Sequence, residues 1–131
     1  MVEAGGLVVD DPSRGLFRVD RTVMTSAAVL DAEMQRVFDR CWLYVGHESE
    51  VAEPGEYRRR VVAGRSVIFV RGADDEVRVL HNSCPHRGAI VCRTDEGVAT
   101  SFQCFYHAWT FATDGALRGV PGVQSYPEGF D

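Results

Sequence analysis

The sequence has no long apolar run: its longest stretches, such as VIFV at Val67–Val70, are a few residues, too short for a membrane-spanning helix. It has no basic surplus either. Lys and Arg number 14 against 19 Asp and Glu, giving a net charge of -5, whereas nucleic acid asks for a basic face. Repeats and low-complexity tracts are absent, and the opening MVEAGGLVVDDPSRG lacks the basic-then-apolar pattern of a signal peptide. These absences lead to the expectation of a cytoplasmic globular protein without nucleic-acid or membrane partners. Its 131 residues are one domain's worth, enough to bury roughly two-thirds of the unfolded surface. There are only four cysteines and four histidines. In a reducing cytosol, Cys–His clusters are more often metal sites than disulfides.

What is present falls into two styles of pattern. The first twenty or so residues mix Gly, Asp, Pro and Arg without periodicity and read as an arm. TSAAVLDAEMQRVFDRCW then predicts a helix over 25–42, capped by Thr25 or Ser26, with Leu30, Met34, Val37, Phe38 and Cys41 on one core-facing stripe. After the turn at Pro54–Gly55 the pattern becomes β. YRRRVV and SVIFV flank Ala63–Gly64, and VRVLH follows the acidic turn GADDE. VATSFQC predicts one more strand, and WTFATDGALRGV a hairpin turning at Asp114–Gly115. The Arg58–Arg60 run reads as a solvated strand face, with a docking patch for an acidic electron donor as its alternative.

The chemistry concentrates in two loops, CPHRG from Cys84 and CFYHAW from Cys104. Each offers one cysteine and one histidine: Cys84 with His86, then Cys104 with His107. Two thiolates and two imidazoles suit zinc or an iron–sulfur centre. Zinc fingers usually pair cysteine with cysteine and histidine with histidine on separate turns. One of each per loop suits instead a two-iron cluster, each loop giving a thiolate to one iron and an imidazole to the other, as in a Rieske [2Fe–2S] centre. Pro85 stiffens the first loop, and Gly88 permits a tight turn or a close backbone approach. Phe105, Tyr106 and Trp109 are placed to shield the centre. Arg87 could offset the negative charge added on reduction, contact an acidic partner, or simply be solvated. Cys41 and Cys92 lack partners at ligand spacing and read as buried apolar thiols.

CPHRGA followed by CFYHAWTF resembles the Rieske motif of bacterial aromatic-ring-hydroxylating dioxygenase α subunits, and RVFDRCWLYVGHESEVAEPGEY resembles the segment preceding it. The likeness covers about residues 17–131 and departs at Ala108, where the family commonly has Gly. It implies a mainly β fold: a Rieske-type antiparallel β-sandwich with two cluster-binding loops over 44–131, preceded by an arm and one helix over 1–43. By the same likeness Cys84 and Cys104 bind the inner iron and His86 and His107 the outer one. It also implies an electron path from a ferredoxin or reductase, through the cluster, to a mononuclear iron across a bridging carboxylate. That iron lies in the catalytic domain of the same or a neighbouring α subunit, with a β subunit as a further partner.

That second iron needs two more histidines and a carboxylate. The remaining His47 and His81 precede the cluster loops and are expected at the surface or at strand ends. The chain is therefore expected to lack the catalytic domain and its Fe(II), and to be catalytically incomplete alone. The alternatives are a free-standing Rieske ferredoxin and a zinc-stabilised interaction module. High-potential Rieske proteins carry loop-clamping cysteines and a serine donor after the second histidine. Ala89, Phe105–Tyr106 and Ala108–Trp109 stand at those places here, so the potential is expected in the lower part of the range of about −150 to +300 mV.

Overall fold

The computed structural model describes residues 6–130. The chain divides into two compact units at the Leu43–Tyr44 junction.

In the first unit the expected arm is a β-hairpin. Strands β1 (Val8–Asp11) and β2 (Leu16–Val19) pair antiparallel, Val8 opposite Val19 and Asp11 opposite Leu16. Pro12 opens the 3₁₀ turn between them, the Asp11 carboxylate accepts from the Ser13 hydroxyl at 2.6 Å, and Gly15 closes it at φ +60°. Four-residue strands are too short to reveal a period, although the turn chemistry of DPSRG was in plain view. Helix α1 is confined to Ala27–Glu33. It continues as a π-helical turn, Met34–Phe38, in which Asp39 N–H reaches back to Met34 C=O at 2.9 Å. Ser26 is the N-cap residue but its hydroxyl makes no capping bond. The expected stripe fails: Leu30, Val37 and Cys41 are exposed, Met34 and Phe38 half-buried, and Val29 is the buried position. An i→i+5 turn abandons the 3.6-residue period, so a face projected through it drifts, and Cys41 lies beyond the helix altogether.

The second unit holds two antiparallel sheets. One has the order β5-β4-β3-β6, built from β3 (Glu56–Val62), β4 (Arg65–Arg71), β5 (Val77–His81) and β6 (Glu96–Val98). The other has the order β7-β8-β9, from Ser101–Gln103, Thr110–Ala112 and Leu117–Gly119. Ala63 (φ +46°) and Gly64 (φ +74°) both take the left-handed conformation that a tight β3–β4 hairpin demands. Strand β4 is apolar without alternation, and Val67, Ile68, Phe69 and Val70 are all buried, so both its faces are covered. The single strand expected from VATSFQC is two. The chain leaves the first sheet after Val98, with Ala99 N–H bound to Gly55 C=O, and enters the second at Ser101. Tyr57, Ile68, Val70, Val91, Cys92, Phe102 and Trp109 form one core with Cys84 and Cys104. Fully burying each such aliphatic side chain contributes about 1.5–3 kcal/mol. The loops that carry chemistry thus grow directly out of the core.

The Arg58–Arg60 run is neither a free patch nor a plain solvated face. Arg58 pairs with Glu96, Arg59 with Asp95 and Arg60 with Glu50, and Arg60 also sits over the Phe69 ring at 5.8 Å. Among the described residues no helix is long and apolar enough to cross a membrane.

Candidate functional site

The two loops are built alike. In the first, Gly88 N–H donates to Cys84 C=O at 2.7 Å, and Cys84 N–H to Ala89 C=O at 2.8 Å. In the second, Ala108 N–H donates to Cys104 C=O at 2.9 Å, and Cys104 N–H to Trp109 C=O at 2.8 Å. The fifth residue of each is left-handed, Gly88 at φ +70° and Ala108 at φ +54°. Glycine takes this conformation freely, whereas alanine is strained in it. An added Cβ on Gly88 would meet nothing nearer than the Ser83 hydroxyl at 4.0 Å, so the turn, not close packing, calls for glycine there.

This scaffold brings the four candidate ligands together in pairs. Cys84 and Cys104 are each only 2% exposed at the base of the loops. Burial pushes the Cys84 thiol pKa up; the His86 backbone N–H aimed at the sulfur opposes this, and the neighbouring Cys104 thiol reinforces it. His86 and His107 lie above them, half-buried, with ring centroids 4.6 Å apart and planes at 67°. Burial, followed by the His107 ring and the Arg87 cation, holds the His86 pKa below its ordinary value. Nδ1 of His107 is buried without a hydrogen-bond partner. Buried polar atoms are normally satisfied, so an orphaned nitrogen on a ring packed against His86 fits a metal ligand.

Among the described residues no three His, Cys, Asp or Glu side chains converge as they would around one ion. A structural zinc site needs four donors on one tetrahedron. Thiol beside thiol and imidazole beside imidazole is instead the donor set of a two-iron cluster with unlike ends, and the residues present fit that group.

The neighbours divide the surroundings. Trp109, 9% exposed, stacks on His86 with centroids 5.0 Å apart and planes within 4°. Tyr126 and Phe130 meet Trp109 edge-on at 6.3 and 5.7 Å. Tyr106 lies over His107 at 3.9 Å, although it is itself largely exposed. Phe105 points outward, 62% exposed, under the Arg93 guanidinium at 4.8 Å, and does not shield the site. Arg87 is exposed and makes no ion pair among the described residues.

The remaining candidates lie apart. His47 is exposed and caps a 3₁₀ turn, Glu48–Val51, its Nδ1 accepting from Ser49 N–H at 3.2 Å. His81 is exposed at the end of β5. Cys92 is buried as expected, its thiol donating to Thr94 C=O at 3.5 Å; Cys41 is not. Sequence reasoning passed over Asn82, which is fully buried. Its signal was modest: an amide side chain two residues before a candidate ligand, just after a strand.

Residues 41–128 match the model of the Rieske [2Fe-2S] domain. Over 126 residues the chain is 40% identical to the 2-halobenzoate 1,2-dioxygenase large subunit of Burkholderia cepacia, covering 95% of this chain and 27% of that one. Naphthalene 1,2-dioxygenase from Rhodococcus sp., solved with indole bound, superposes with a TM-score of 0.77 at 37% identity, covering 81% of this chain and 24% of that one. A quaternary ammonium Rieske monooxygenase solved with gamma-butyrobetaine gives 0.75 at 37% identity, covering 85% and 32%. The chain therefore spans about a quarter to a third of the length of these relatives.

Proposed function

The chain belongs to the Rieske [2Fe–2S] domain family, with aromatic dioxygenase large subunits among its relatives, and on that premise we propose that it is the electron-transfer domain of such a subunit. Cys84 and Cys104 would hold the inner iron, and His86 and His107 the outer one. When bound, such a cluster supplies a one-electron relay. Everything else is the work of the chain. The thiols are buried among the core residues, while the half-buried imidazoles lie nearer solvent, where an electron would enter and leave. Trp109 fixes the plane of one ring and Tyr106 covers the other.

The observation that carries this reading is the two-by-two pairing of the ligands beside the orphaned Nδ1 of His107. We read residues 44–131 as the cluster domain and the whole protein as an aromatic-ring-hydroxylating oxidoreductase of the cytoplasm. Its donor would be a ferredoxin or reductase. Its acceptor would be a mononuclear iron in the catalytic domain of the same or a neighbouring α subunit, with a β subunit as a possible further partner. The substrate does not follow from this domain, since similar folds occur in an oxygenase with indole bound and in one with gamma-butyrobetaine.

The test is metal analysis of the purified protein. Two irons and two acid-labile sulfides per chain, lost together in Cys84→Ala and reduced in His107→Ala, are expected. A colourless protein holding one zinc overturns the reading. The intact mass of the natural product then separates a free carrier from one part of a larger oxygenase subunit.

A further inference from the structure

The two cluster loops look alike inside but are closed differently. The second loop is closed by a ladder, because β7 and β8 pair directly across its base, Gln103 opposite Thr110. The first loop has no such ladder. Strand β5 enters it and ends at His81, while the exit runs without regular structure until β6, which pairs with β3 instead of β5. Backbone bonds between Cys84 and Ala89 close the turn itself, but beyond them no strand ladder ties the entry of that loop to its exit.

The Asn82 side chain occupies that position. Its Oδ1 accepts from Val91 N–H at 3.1 Å and Cys92 N–H at 2.7 Å, and its Nδ2 donates to Cys92 C=O at 2.8 Å and Ser66 Oγ at 3.1 Å. Its own N–H continues the β4–β5 ladder to Ser66 C=O at 3.0 Å. Two backbone N–H groups converging on one end of the amide fix which end is oxygen. The side chain is 0% exposed and satisfied at both ends, which is how a buried polar network gains in strength. One carboxamide thus does for the exit of the first loop what a partner strand does for the second.

Resting on the cluster reading above, we infer that Asn82 is a positioning residue for the redox centre: it substitutes for the missing ladder and holds Cys84 and His86 in register with Cys104 and His107. None of its hydrogen bonds reaches the four candidate ligands, so its influence travels through the closure of the loop. A backbone peptide mimic is required. Aspartate keeps the acceptor but loses both donated bonds and sets a carboxylate against the Cys92 carbonyl.

The experiment compares Ser66→Ala, Asn82→Asp and, as a control, Val51→Ala in the cluster-loaded chain. Val51 is fully buried but lies outside the core that holds both cysteines. Cluster loss is followed by visible absorbance, the reduced centre by electron paramagnetic resonance and potentiometry, and the Val91 and Cys92 amides by hydrogen exchange in the metal-free chain. Loss of one hydrogen bond in Ser66→Ala is expected to speed cluster decay about fivefold, and Asn82→Asp by more than about tenfold with an altered resonance spectrum and potential. Val51→Ala should lower the melting temperature while leaving spectrum, potential and the two amides unchanged. Matched behaviour of the Asn82 or Ser66 variants and Val51→Ala at equal stability would overturn the inference. If Asn82→Asp does not fold, Ser66→Ala decides alone by the same criterion. Failure of the wild-type chain to hold iron and sulfide would instead sink the cluster reading. The exchange measurement needs no metal and would still test the clamp.

Discussion

The His86 imidazole and the Trp109 indole lie face to face, 5.0 Å between centroids and 4° between planes. They come from different loops, and Trp109 is in turn packed edge-on by Tyr126 and Phe130. The indole therefore ties the outer face of the site to the core and to the last residues of the described chain.

Truncating that indole should damage both. Trp109→Ala is expected to destabilise the fold by about 3–5 kcal/mol, in the range for large aromatic deletions. Trp109→Phe should cost clearly less, because a ring remains against His86. Denaturant titration gives both numbers, and near-wild-type stability for Trp109→Ala would contradict the packing described.

The left-handed fifth residues of the two loops make opposite predictions. Ala108→Gly relieves strain at φ +54° and should stabilise by about 0.5–1 kcal/mol, whereas Gly88→Ala adds strain and should destabilise by about 1–2 kcal/mol. Space is not the issue at Gly88, whose absent Cβ has room. Equal effects of the same sign at both sites would show that conformation is not what distinguishes them.

Acid should unfold the protein partly through Asp74. Arg78 donates to both its carboxylate oxygens, at 2.7 and 2.6 Å, and holds its pKa down from 3.8 to about 2. A carboxylate with a depressed folded pKa contributes stability that is fully present above its unfolded pKa and is lost as pH falls through the folded one. The stability curve should therefore drop between about pH 4 and pH 2, with a shallower slope in Asp74→Asn. Chemical denaturation at stepped pH measures this, and identical slopes would remove Asp74 from the account.

The cluster potential should lie below zero, toward the −150 mV end of a range that reaches about +300 mV. The loop positions at which clamping cysteines and a serine donor would sit hold Ala89, Phe105–Tyr106 and Ala108–Trp109 here. Fewer donors stabilise the reduced, more negative cluster less. Redox titration decides it, and a value well above zero would mean that other donors, or solvent, set the potential.

The local parts of this structure were legible in the sequence wherever a few adjacent residues fix the outcome. Ala63–Gly64 and Asp114–Gly115 specify their hairpins because turn geometry is set by the residues in the turn. The candidate donors were legible because C-x-H and C-x-x-H put two cysteines and two histidines on short loops. The helix was only partly so: a 3.6-residue period read through Met34–Phe38 assumes regular hydrogen bonding, and the π turn breaks that assumption. Tertiary structure alone decided that Arg58, Arg59 and Arg60 meet Glu96, Asp95 and Glu50, since each partner arrives from a distant segment. It alone decided that Trp109 lies on His86, and that Asn82 closes a loop nine and ten residues away through Val91 and Cys92. Sequence states which groups are available and what the nearest bonds allow; which distant groups share a buried space depends on how two sheets meet, and no local spacing encodes that.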